Sequence, residues 1–155
     1  MRILFLTVTD QKNQPLGEFT DLHCNFDFRS WEFGFNKIAS QVVIFDYYKS
    51  FVASGPLEME RTVSHLVKAN SIELIVIPNM YFELAPTFLN DLRRLGCRSL
   101  AVFFDDSMRF DEVNRFYLNA FDFYLTHESV SNKALYRPFG IDVEFFPIFP
   151  SFSFY

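Results

Sequence analysis

Short runs built almost wholly of Val, Ile, Leu and Phe alternate along this chain with longer stretches whose apolar residues recur at helical spacing. Such a run has no polar face to offer water, so it fits a strand covered on both sides; alternation with helices is how parallel strands are joined. Six strands are expected, at Arg2–Val8, Val42–Tyr47, Glu73–Pro78, Ser99–Phe104, Phe121–Thr126 and Val143–Phe149.

Between them, Trp31, Phe35, Ile38 and Ala39 predict an apolar stripe on a helix over Phe28–Ser40, and Met59, Val63, Leu66 and Val67 a second stripe. A third helix has Pro86 in its first turn, Phe88, Leu89, Leu92 and Leu95 on its buried side, and Gly96 at its end. Asp111 can cap a fourth that carries Val113, Phe116 and Tyr117, and Ser129–Tyr136 predicts a fifth that stops before Pro138 and Gly140. The expected fold class is α/β: a Rossmann-like three-layer α/β/α sandwich with a mainly parallel sheet of five to six strands, forming a single domain over 1–155.

Charge and cysteine usage narrow the partners. A net charge of -5 argues against a nucleic-acid backbone, which needs clustered Lys and Arg, and against anionic membranes. Cys24 and Cys97 fit no metal-ligand spacing and read as reduced cysteines of a cytoplasmic protein; neither a metal nor a cofactor is expected. The apolar run Ile3–Leu6 is too short for a signal core, and no stretch reaches the ~18 apolar residues of a membrane span. Phe alone occurs 22 times, and the segment Phe145–Tyr155 is dense in it, so this tail is expected either to pack against the domain or to be covered by a second domain, a partner subunit or a second copy in a homo-oligomer.

In an open parallel sheet, ligands bind outside the carboxyl ends of the strands. The residues just past each strand are polar: Thr9 and Asp10, then Asn79 and Glu83, then Asp105, Asp106 and Ser107, then His127 and Glu128. Adjacent carboxylates repel unless a cation, a sugar hydroxyl or a helix N-terminus takes them up, so Asp105 and Asp106 are the candidate catalytic pair, one of them as general base, with His127 as an assisting acid or base. Thr9, Asp10, Asn79, Glu83, Ser107 and Glu128 are the candidate substrate-binding residues. The alternative, equally open on sequence, is that Asp106 or Ser107 caps the next helix and Asp105 faces water.

The residues at the strand ends also exclude several classes. Thr9-Asp10-Gln11-Lys12-Asn13 stands where a dinucleotide-binding domain has its glycine-rich turn, and there is no phosphate-binding loop and no Gly-X-Ser-X-Gly elbow. A phosphoacceptor receiver domain would place an acidic pair, an Asp and a Lys where this chain has Asp10 alone, Asn79 and His127.

From Pro78 onward the chain resembles the N-terminal domain of bacterial GT-B glycosyltransferases related to the spore-maturation CgeB proteins. The resemblance is carried by Pro78-Asn79-Met80-Tyr81-Phe82-Glu83, Leu92-Arg93-Arg94-Leu95-Gly96, Phe103 through Phe110, Phe121 through Thr126, and Tyr136 through Pro147. It implies the acceptor-side half of an enzyme that transfers a sugar from a nucleotide-sugar donor to an acceptor, without a metal. The donor would sit mainly on a second domain that this chain lacks, so the isolated chain is expected to be inactive. The competing expectation is a non-catalytic binding or assembly module acting through its aromatic tail.

Overall fold

The first strand, β1 (Arg2–Thr7), is apolar on both sides, and both sides are covered. The computed structural model describes residues 1–7, 28–79, 84–103, 106–128 and 132–145, with backbone alone at 28–30, 79, 132 and 133. The other strands are β2 (Gln41–Asp46), β3 (Leu74–Asn79), β4 (Arg98–Phe103), β5 (Phe123–Thr126) and β6 (Glu144–Phe145). All pair in parallel, in the order β2-β1-β3-β4-β5-β6. The expected α/β, Rossmann-like class holds, and the topological switch point, where the strand order reverses, lies between β1 and β3.

Alternate residues of each strand serve opposite faces of the sheet. Leu4, Leu6, Ile75, Ile77, Ala101 and Phe103 join the larger core, which is closed by α2 (Tyr47–Ala69), α3 (Pro86–Arg94) and the aromatic residues beyond β4. Ile3, Phe5, Val76 and Val102 form the smaller core, against Trp31, Phe35 and Ala39 from the stretch of α1 (Phe28–Ile38) and the residue after it. Phe5 meets Phe35 edge-on, with centroids 5.4 Å apart.

The strand register is held at its ends as well. Asp122 sits just before β5, and its carboxylate accepts from the Ser99 amide at 2.9 Å, Arg98 at 2.8 Å and Arg93 at 2.9 Å. Burial alone would push this carboxyl up, but the bonds from Arg98, Ser99 and Arg93 outweigh it and hold Asp122 below the ordinary range.

Several sequence expectations shift at element ends. Ile38 is 67% exposed, because it is the last residue of α1 and lies ~60° around the helix from Phe35, at the edge of the stripe. Leu95 falls beyond the end of α3 and is exposed, while Phe88, Leu89 and Leu92 are buried as expected. The second helix begins earlier than its stripe, at Tyr47, because the Asp46 carboxylate caps it by accepting from the Lys49 amide at 2.9 Å. It is broken at Gly55, whose φ of 80° and ψ of 172° interrupt the helix just before Pro56.

No helix capped by Asp111 forms. In its place stand a short helix α4 (Asp106–Arg109) and a 3-10 turn (Asn114–Tyr117) preceded by Val113, and Asp111 instead accepts from Arg115 at 3.4 Å. Val113 and Tyr117 are buried, but Phe116 is exposed. Strand β5 begins at Phe123, since Phe121 and Asp122 make the turn into it. Of the expected fifth helix, residues 129–131 lie outside the described residues, and Asn132–Tyr136 form a π-helical turn, with a 3-10 turn after it at Arg137–Phe139. Of the expected sixth strand, Glu144 and Phe145 pair with β5, and 146–149 lie outside the described residues.

Candidate functional site at the carboxyl edge

The carboxyl ends of the parallel strands line one edge of the sheet, and of the polar residues predicted from sequence Asn79, Asp106, Ser107, His127 and Glu128 fall there. Asn79 is the last residue of β3, opposite Phe103 of β4. Thr9, Asp10, Glu83 and Asp105 lie outside the described residues, so the expected Asp105–Asp106 pair is seen through Asp106 alone.

Asp106 begins α4, and its side chain points into the protein. It is 0% exposed. Thr126 at the end of β5 and Tyr136 of the π-helical turn each donate a hydroxyl hydrogen bond to its carboxylate, and Asn114 Nδ2 donates at 2.7 Å. Burial pushes the Asp106 carboxyl up from the ordinary range, and the three donors hold it back only in part. Tyr136 is pushed up by burial and then by the negative charge of Asp106. Its ring stacks on Phe103 at 5.6 Å and meets Phe110 edge-on at 5.1 Å. Phe103 and Phe110 thus wall the tyrosine that donates to this carboxylate.

A second carboxylate stands nearer to solvent. Glu128 lies just past β5 and accepts from the Ser107 amide at 3.1 Å and the Ser107 hydroxyl at 3.2 Å, so it ties the start of α4 to the end of β5. The Glu128 amide in turn donates to Thr126 Oγ1 at 3.1 Å. His127 lies beside it, half-buried, with Nδ1 3.4 Å from the Phe103 carbonyl oxygen. The four residues Asp106, Ser107, His127 and Glu128 are thus brought together, in two layers: Asp106 beneath, with Ser107, His127 and Glu128 above it toward water.

That layering divides the chemistry. A fully buried carboxylate with three donors is suited to positioning the loops around it, whereas a half-buried carboxylate and imidazole can meet a ligand hydroxyl. Sequence reasoning misses Asn114, Thr126 and Tyr136 as partners of Asp106; the only available signal is a polar tip on residues embedded in apolar surroundings.

Among the described residues, no three His, Cys, Asp or Glu side chains are grouped so as to hold a metal ion, and no helix is long and apolar enough to cross a membrane. Comparison with models of protein families, with curated proteins and with solved structures returns no match.

Proposed function

We propose that this chain is the acceptor-side half of a GT-B glycosyltransferase resembling the CgeB-related enzymes, and that the edge formed by β4 and β5 is the wall of its acceptor cleft. The observation that carries this reading is the Ser107–Glu128 bridge across the ends of the two strands, fixed from below by Asp106. Carboxylates accept hydrogen bonds from sugar hydroxyls, and an acceptor hydroxyl needs a base near it as it attacks the donor. In this reading His127 and Glu128 meet the acceptor, Asp105, next to Asp106 in sequence, is the candidate base, and Asp106 orients the group without touching substrate. Asn79, the last residue of β3, stands on the same edge, and Thr9, Asp10 and Glu83 follow β1 and β3 in sequence. Transfer itself requires a nucleotide-sugar site on a further domain.

Saturation-transfer NMR with a panel of acceptor glycans and nucleotide-sugars tests this. Glycan signals from the wild type that fall at least tenfold in Glu128→Gln and Asp105→Asn, with weak or absent nucleotide signals, are the expected result; glycan binding that survives both substitutions, or none at all, counts against it.

The exposed ring of Phe145 on β6, which has one strand neighbour, favours a second reading, an assembly module. Concentration-dependent self-association abolished by Phe145→Ser, together with no glycan binding, would favour it over the first.

A further inference from the structure

On the helical face, away from the carboxyl edge, α2 and α3 leave a groove between them. One part, of about 450 Å³, is lined by Leu57, Arg61, His65 and Lys68 of α2 and floored by Phe88 of α3. A second hollow of about 310 Å³ shares Lys68 and reaches Leu95 past the end of α3. The two adjoin at Lys68.

Leu57, Arg61, His65 and Lys68 succeed one another at spacings of four, four and three residues, which places them within one arc of the helix along ~16 Å of its length. The chain as a whole carries -5, yet Arg61 and Lys68 give this stripe two positive charges. Glu60, the one carboxylate in the lining, accepts from the Ala85 amide at 2.9 Å. Arg61 meets Glu58 at 3.1 Å, but both are well exposed, and such a pair contributes little. The side chains of His65 and Lys68 have no hydrogen-bond or ion-pair partner among the described residues. Apolar side chains stand at both ends: Leu57 is 72% exposed and Leu95 45%.

A small anion is held by donors that converge on one point. Here the cations stand in a row, with apolar contacts before and after them, which matches a ligand as long as the groove, apolar along one side and acidic along its flank. We propose that the α2–α3 groove is a docking site for an acidic amphipathic helix of a partner protein. Its apolar residues pack on Leu57, Phe88 and Leu95, and its carboxylates face Arg61, His65 and Lys68. The site is separate from the carboxyl edge and does not depend on the sugar-transfer reading.

The probes are fluorescein-labelled helical peptides of about 16 residues, ~24 Å long, with Leu at successive helical spacings and Glu beside them. A matched series with Lys in place of Glu, and inorganic phosphate, are the controls. With the full chain, at least one Glu peptide should raise anisotropy saturably and shift amide resonances within 57–72 and 84–95. The Arg61→Glu/Lys68→Glu variant, both positions being exposed, should bind that peptide at least tenfold more weakly while unfolding at an unchanged temperature. Failure of every Glu peptide to bind, equal binding of the Lys series, shifts outside those segments, or unchanged affinity in the charge-reversed variant would each overturn the proposal. Phosphate that saturates the same residues as tightly as the peptide would also overturn it, in favour of a simple anion site.

Discussion

The carboxylate of Asp122 accepts both the backbone amide of Ser99, at 2.9 Å, and its hydroxyl, at 3.1 Å, so the turn into β5 is fastened to the start of β4 by a single side chain. Ser99 is buried, and removing the carboxylate leaves two buried donors unpaired. Asp122→Ala should therefore cost about 2–3 kcal/mol in urea unfolding with an unchanged m-value, most of it through Ser99, because Arg93 and Arg98 are both more than a third exposed. The folded-state carboxyl titrates below its unfolded value of ~3.9, so this contribution is complete above that pH and is lost as pH falls through the lower folded value. A stability difference from the variant that persists undiminished into that acid range would contradict the assignment.

The buried Asp106 has the opposite sign. Its folded-state carboxyl titrates above the unfolded value, so the native state holds the proton more tightly, and the resulting stabilisation is full below ~4 and declines as pH rises through the folded value. Melting temperatures of wild type and Asp106→Asn, measured from acid toward neutral pH, should converge or cross as pH rises; parallel curves would rule this out. Tyr136→Phe removes a donor to the charged form, which should move the decline to higher pH and cost about 1–2 kcal/mol.

Two glycines should answer oppositely to the same change. Gly55 has φ 80° and ψ 172°, a region that residues with a Cβ avoid, and no neighbouring atom lies within 4 Å of where a Cβ would be. Gly55→Ala should cost about 1–3 kcal/mol from backbone strain alone. Gly34, inside α1 with equally open surroundings, should gain about 0.5–1 kcal/mol on change to Ala. Equal effects at the two sites in thermal unfolding would show that the break in α2 is not held by Gly55.

Cys97 is buried, and burial pushes its thiol up to about 11. Alkylation of this residue by iodoacetamide at pH 8, read by peptide mass spectrometry, should run at least roughly a hundredfold slower than for a free thiol and match it only in denaturant. Rapid labelling of the folded protein would refute its burial.

The sheet is legible in the sequence because β1 to β5 are built around short, nearly continuous apolar runs, and such runs have few other places to go. Errors gather where helices end. Ile38 and Leu95 extend a good apolar stripe on paper, but the chain leaves the helix at those residues, and the periodicity says nothing of where it leaves. At the site, the polarity of Ser107, His127 and Glu128 after their strands is visible. The burial of Asp106 is not, since its donors come from Asn114, Thr126 and Tyr136, which are 8, 20 and 30 residues further along the chain. Only the fold brings them to one carboxylate.

The strand order also sets how such a chain assembles. Before β1 can pair on its far side, Arg2 must find Glu73, 71 residues away, whereas β4, β5 and β6 each join the strand that immediately precedes them. Closure of the β2-β1-β3 unit is thus the costly, high-contact-order event, and the remaining strands accrete onto a finished template in the order of synthesis. In pulse-labelled hydrogen exchange, amides of β1 and β3 should gain protection before those of β5. A nascent chain emerging from the ribosome would complete its nucleus once residue 79 is free, and every later strand would add by short-range growth.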